Sequence, residues 1–144
     1  MFIKGTWRTS QHQFEVTNPA DGTVISQVHD GGRDAAREAI DAADLAQAAW
    51  ANTTAYERSK ILYDAYQIML DRKEDLARTM TLEQGKPLKV ALTEVQYGAD
   101  FLLWFAEEAK RVYGQTIPSA RGNQRFMVAH QPVGVVAAVT PWNY

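Results

Sequence analysis

The stretch from Pro132 to Tyr144, PVGVVAAVTPWNY, limits what this chain can fold into more than any other. Apolar residues follow one another without alternation, so a strand here would be apolar on both faces and would need cover above and below. Val133, Val135, Val136 and Val139 are β-branched and Gly134 lies among them, which favours a strand over a buried helix. Parallel strands need crossover connections to their neighbours. No strand–helix–strand unit earlier in the chain ends in a comparable run, and no sequence follows Tyr144. The expectation is therefore a buried strand in a truncated chain, or one that borrows its sheet edges from another chain. Ligands of open α/β sheets bind beyond the carboxyl ends of the strands, and Asn143 stands at such an end.

Other bounds are looser. The chain has 144 residues, the length of about one domain, and a hydrophobic share of 46% allows a substantial core. A net charge of −2 gives no electrostatic ground for a nucleic acid or an anionic membrane as partner. No apolar run reaches the roughly 18 residues of a membrane span, and Met1 to Arg8 lacks the apolar centre of a signal peptide. The absence of cysteine excludes disulfides, thiolate metal sites and a cysteine nucleophile within these residues. It is compatible with a reducing compartment, and the location expected is cytoplasmic.

Along the chain, residues 2–8 and 13–17 read as short strands, with Thr9 to His12 as a polar turn between them. Asn18-Pro19-Ala20-Asp21-Gly22 is a strong turn signal, since proline presets φ and glycine admits positive φ. A third strand runs from Thr23 to Val28. Short turns between these strands predict antiparallel hairpins. His12, His29 and His130 have no partners at metal-ligand spacing and read as surface or hydrogen-bonded histidines.

Four helices follow. Residues 34–51 are alanine-rich, and Ala36, Ala39, Ile40, Ala43, Ala46 and Trp50 form a stripe of mostly small residues. Thr54 and Glu57 have capping-box spacing at the start of the second helix, whose apolar positions are Ile61, Leu62, Ala65, Ile68 and Met69. A break near Leu70 to Lys73 leads into a third helix, Glu74 to Glu83, stopped by Gly85. The fourth and longest has Pro87 in its first turn, Lys110 and Arg111 in its last, and Gly114 at its end. Leu88, Leu92, Val95, Leu102, Ala106 and Ala109 mark one apolar face. Tyr97, Phe101 and Trp104, at i, i+4 and i+7, share a second. A helix apolar on two sides is buried or lines something: core packing is the simpler account, the wall of a small-ligand pocket the sharper one. Residues 115–124 read as a loop and 125–131 as a strand with one exposed face.

No complete nucleotide or metal motif is present. Gly31-Gly32 lacks dinucleotide-loop spacing, and Gly85-Lys86-Pro87 lacks the remaining P-loop residues. Glu83, Glu94, Glu107 and Glu108 read as solvated or ion-paired helical carboxylates. Asn143 is the one group placed by its context: its amide serves either as a strand-end cap or as a donor to a developing oxyanion.

Four motifs, taken in order, carry a resemblance. They are Asn18-Pro19-Ala20 with Gly22, Leu82-Glu83-Gln84-Gly85-Lys86-Pro87-Leu88, Pro132-Val133-Gly134-Val135, and Thr140-Pro141-Trp142-Asn143. Together they resemble the amino-terminal part of an NAD(P)-dependent aldehyde dehydrogenase along the whole chain. Trp104 to Gly114, with Ile117-Pro118, is most similar to the succinate-semialdehyde dehydrogenase branch. Tyr144 stands where the family usually has Phe.

The resemblance implies an α/β fold: the amino-terminal part of an aldehyde dehydrogenase, with short antiparallel strands, four helices, the start of an oligomerisation arm and the first buried strand of the next sheet segment. Residues 1–114 would belong to the cofactor-binding domain, 115–131 to the arm, and 132–144 to the buried strand with its Thr-Pro-Trp-Asn corner. It implies oxidation of a small aldehyde, succinate semialdehyde in the first instance, through a thiohemiacetal on cysteine, with NAD or NADP as hydride acceptor. Asn143 would hold the oxyanion. Val139, Thr140, Pro141 and Trp142 would border the nicotinamide end of the cofactor, and Tyr97, Phe101 and Trp104 would touch the substrate tunnel. The full-length family member would be a homo-oligomer, a dimer or tetramer. The family's nucleophilic cysteine, glutamate base and most of its dinucleotide sheet are not in these residues, so the chain alone is expected to be inactive and not to bind NAD(P). An alternative is a non-catalytic interaction module that pairs with a full-length homologue. A third reading, an independent helical ligand-binding domain, rests on Tyr97, Phe101 and Trp104 alone.

Overall fold

The computed structural model describes residues 1–141. The chain divides into two compact units that interleave in sequence. One comprises Met1–Arg8, Gly31–Thr53 and the chain from Tyr113 onward. The other comprises Thr9–Asp30 and Thr54–Val112.

In the first unit, residues 2–8, read as a short strand that enters a turn at Lys4-Gly5, form a complete hairpin. β1 (Phe2–Ile3) pairs antiparallel with β2 (Thr6–Trp7) across a two-residue turn. Lys4 and Gly5 both take positive φ, at 53° and 74°, the requirement of a type I′ turn. The hairpin turn therefore falls at Lys4-Gly5, and Thr9–His12 lie outside any strand between Trp7 and Gln13, as read from the sequence. Ile3 is buried, and β1 packs on α1 (Gly32–Ala51). The small-residue stripe of α1 stays largely uncovered, with Ala36, Ile40, Ala43, Ala46 and Trp50 all exposed.

The remainder of this unit departs furthest from the sequence reading. Part of the expected loop at 115–124 is a strand: β5 (Gln115–Pro118) pairs antiparallel with β6 (Arg125–Val128). Gly114 stands just before β5 instead of ending a helix. Residues 132–141 form no strand, and the run is uncovered in this chain, as expected of a truncated chain without sheet partners, Val133 at 88% and Val139 at 98% exposure. A strand exists only through pairing, and among the described residues nothing pairs with this one.

In the second unit, β3 (Gln13–Thr17) and β4 (Val24–His29) form the expected antiparallel hairpin, with a bulge between Val16 and Thr17. Its turn is closed locally. Asn18 Oδ1 accepts from the Ala20 amide at 3.0 Å, and Asp21 Oδ1 accepts from the Thr23 amide and hydroxyl at 2.9 and 2.7 Å. The Thr23 hydroxyl, then its amide, holds the Asp21 carboxyl below the usual range. At the open end, His29 Nδ1 lies 3.1 Å from the Ser10 amide and 3.1 Å from Gln13 Nε2, so this histidine is hydrogen-bonded.

Three helices complete that unit: α2 (Ala55–Asp71), α3 (Lys73–Gln84) and α4 (Leu88–Glu108), followed by a 3₁₀ turn at Ala109–Arg111. The capping box forms at Thr54. Glu57 donates its amide to Thr54 Oγ1 at 3.2 Å, and the Thr54 amide donates to Glu57 Oε2 at 2.6 Å. Gly85 ends α3 in the left-handed region, at φ 71°, where a side chain would be strained. Pro87 stands one residue before α4 rather than inside its first turn, and Lys110 and Arg111 fall in the 3₁₀ turn. The core joins Ala77 on α3 to Ala91 and Val95 on α4, with Met69, Leu76, Met80, Leu88 and Leu92 packed around them. Ala77, Ala91 and Ala99 have no exposed surface, and alanine at such crossings lets helix backbones approach closely. Ile61 and Ile68, expected on the inner face of α2, are exposed.

Candidate functional site

Two places carry the residues singled out above. The first is the corner at the end of the Pro132 run. Val139, Thr140 and Pro141 are exposed and belong to no helix or strand, so they are open to a ligand. Trp142 and Asn143 lie outside the described residues.

The second is the outer face of α4. Leu88 to Glu108 is long enough to carry two apolar faces, and α2 and α3 cover one of them. Ala91, Val95, Ala99 and Ala106 are the residues of that covered face that become fully buried. Tyr97, Phe101 and Trp104 are on the other. They are not core residues: Trp104 is 63% exposed, and Tyr97 and Phe101 are about half so. Within the described residues the core side of α4 is filled by alanine and valine, and these three rings stand outside it.

The three rings line a shallow groove of about 360 Å³ together with Asp100 and Phe105. Tyr97 and Phe101 meet edge to face with centroids 5.0 Å apart, and Phe101 stacks on Phe105 at 6.4 Å. Such pairs favour one arrangement of the rings over others. Asp100 and Phe105 were not singled out in the sequence. Helical arithmetic contains both, since Phe105 is four residues after Phe101, and Asp100 is three after Tyr97 and four before Trp104.

The Asp100 carboxylate is oriented. Gln96 Nε2 donates to Asp100 Oδ1 at 2.8 Å, and Gln96 Oε1 accepts from Lys73 Nζ at 2.8 Å. Lysine can only donate, so it fixes which end of the Gln96 amide faces Asp100. Nearer the start of α4, Lys86 pairs with Glu94, both side chains largely withdrawn from solvent at 17% and 18% exposure. Glu94 is thus ion-paired, as is Glu108, whose Oε1 accepts from Arg111 Nη1 at 2.7 Å. Among the described residues no three His, Cys, Asp or Glu side chains come together to hold a metal ion. No helix there is long and apolar enough to cross a membrane.

Residues 7–144 match the model of the aldehyde dehydrogenase family. The chain is 49% identical to the NADP(+) succinate-semialdehyde dehydrogenase GabD of Escherichia coli K12, over 99% of its own length and 30% of that protein. It is also 49% identical to the glutarate-semialdehyde dehydrogenase of Pseudomonas putida, again over 99% of this chain and 30% of the relative. The solved structure of an NADP-dependent enzyme from E. coli superposes with a TM-score of 0.94 at 48% identity, covering 98% of this chain and 30% of that one. The chain belongs to the aldehyde dehydrogenase family, and its α/β fold is part of the fold of those enzymes. It spans about 30% of the length of the curated relatives it matches.

Proposed function

We propose that this chain is the amino-terminal segment of an NAD(P)-dependent aldehyde dehydrogenase that oxidises a short semialdehyde, succinate semialdehyde first, to the carboxylic acid. The observation that supports this most is the 49% identity to two semialdehyde dehydrogenases over 99% of the chain. Within the segment, residues 1–114 contribute to the cofactor-binding domain, 115–131 begin the arm of a homo-oligomer, a dimer or tetramer, and 132–144 supply the corner. Asn143 is the oxyanion donor; its amide can donate a hydrogen bond without changing charge. NAD or NADP supplies the hydride acceptor. Val139, Thr140, Pro141 and Trp142 border its nicotinamide end, for which the open stretch Val139–Pro141 leaves room. Tyr97, Phe101 and Trp104 form an apolar wall for the aldehyde on its way in. With no cysteine in the sequence, the segment does not turn over alone. The location is cytoplasmic.

The experiment is to express the product of the whole coding frame and follow reduction of NAD and NADP with succinate semialdehyde. Asn143→Ala in that product is expected to lower kcat about 100-fold or more, the usual loss of one oxyanion donor, while the 144-residue chain shows no turnover. An unchanged kcat in Asn143→Ala would overturn the assignment. The exposed Pro132–Pro141 run also supports a second reading, an interaction module that pairs with a full-length homologue. Co-expression tests it: the second reading requires the two chains to co-purify in fixed proportion.

A further inference from the structure

The α4 groove combines aromatic surface with one fixed charge. Of its five lining residues four are aromatic, and Asp100 is the single charged one. Its carboxylate is oriented by Gln96, which Lys73 orients in turn. Each part favours the same ligand. An aromatic face attracts a cation through the ring quadrupole, and a carboxylate at the same wall adds Coulomb attraction. A neutral apolar molecule would gain only the contact, and an anion would meet π faces and a like charge.

We infer that the α4 groove is a binding site for a small organic cation, a quaternary ammonium or a protonated amine. The inference shares Tyr97, Phe101 and Trp104 with the aldehyde wall proposed above but does not need that activity, because every residue that carries it lies within this chain. The methylenes of a semialdehyde can pass along these rings, while its carboxylate gains nothing from Asp100. Cation and semialdehyde are therefore rivals for the same aromatic faces and not one ligand.

The test titrates the 144-residue chain with choline, with its neutral isostere 3,3-dimethylbutan-1-ol and with the anion 3,3-dimethylbutanoate. The readout is the indole N–H resonance of Trp104, identified by its loss in Trp104→Phe. Choline is expected to shift this resonance with a dissociation constant at least about three-fold below that of the alcohol, the size of a cation–π contact at an exposed site, and the anion to bind weakest. Asp100→Asn keeps the acceptor for Gln96 and removes the charge; it should lower the preference for choline. A measurement on the unmodified chain backs this up: raising the salt concentration should reduce the choline preference, since an exposed charge is screened, and leave the alcohol unaffected. Equal binding of choline and the alcohol, no shift at Trp104, or a preference indifferent to both Asp100→Asn and salt would each overturn the inference.

Discussion

The corner where α3 turns into α4 and the run from Pro132 to Pro141 are both rich in apolar residues, and they end in opposite states. At the corner, helical spacing puts Leu76, Ala77 and Met80 on one side and Leu88, Ala91, Leu92 and Val95 on the other, and the turn at Gly85 folds one onto the other. The partners are close in sequence, so they are at hand. The Pro132 run has a higher density of apolar residues, yet Val133 and Val139 are almost fully exposed. A two-faced strand needs neighbouring strands on both edges and layers on both faces, and none of these is among the described residues. Apolar pattern marks what has to be covered. Connectivity decides whether the chain brings its own cover.

The sharpest way to break this contrast is to put a carboxylate in each region. Val95→Asp places an unpaired charge in a filled core and should destabilise the helical unit by about 3 kcal/mol or more, read as a lower urea midpoint by circular dichroism. The next effect belongs to the turn that makes the corner. Gly85→Ala forces a side chain into left-handed backbone, with its Cβ 3.1 Å from Pro19 Cγ; the expected loss is about 1–2 kcal/mol, measured the same way.

Thr54→Ala removes the capping box and should cost about 1 kcal/mol. It also carries a pH signature. The Thr54 amide, then its hydroxyl, holds the Glu57 carboxyl below its usual value of 4.5. A carboxyl lowered by folding contributes stability above that value and loses it as pH falls through the lowered native value. Acid titration should therefore show stability falling as pH drops through the lowered native value in both proteins, by less in Thr54→Ala, which keeps the backbone amide and loses only the hydroxyl. The amide-to-hydroxyl bond of the cap does not titrate and should separate the two curves at every pH. The smallest effect is expected for Val136→Asp, within about 0.5 kcal/mol, because its side chain is open to water in this chain. A loss as large as that of Val95→Asp would show that the run is covered in solution and would end the comparison.

Much of the fold was legible because its causes are local. Thr54 and Glu57 announce a helix start three residues apart, and Gly85 announces a stop. Asn18 to Gly22 announces a turn whose hydrogen bonds all lie within six residues. The turn at Lys4-Gly5 was equally local and Phe2-Ile3-Lys4-Gly5 reads as a strand entering it, but its pairing with Thr6–Trp7 was not foreseen, since lysine is not a usual residue at positive φ. β5 was hidden for another reason: Gln115–Pro118 is too short and too polar to read as a strand until β6 pairs with it.

Of the two candidate places, the sequence marks Asn143 by its position at the end of an apolar run and gives it a role through its motifs, while Tyr97, Phe101 and Trp104 follow from their spacing. That spacing cannot tell a buried face from a groove wall, and it passes over Asp100 and Phe105. The amino-acid sequence by itself determined the four helices, the Thr54 cap, the Gly85 stop, the β3–β4 turn and the family resemblance, because each rests on residues a few positions apart. Only the tertiary structure decided which apolar face of α4 is filled, how Lys73 and Gln96 orient Asp100, and that the run from Pro132 to Pro141, whose missing sheet partners the sequence does reveal, forms no strand. Burial depends on what lies across a gap in space, and spacing along the chain does not carry that information.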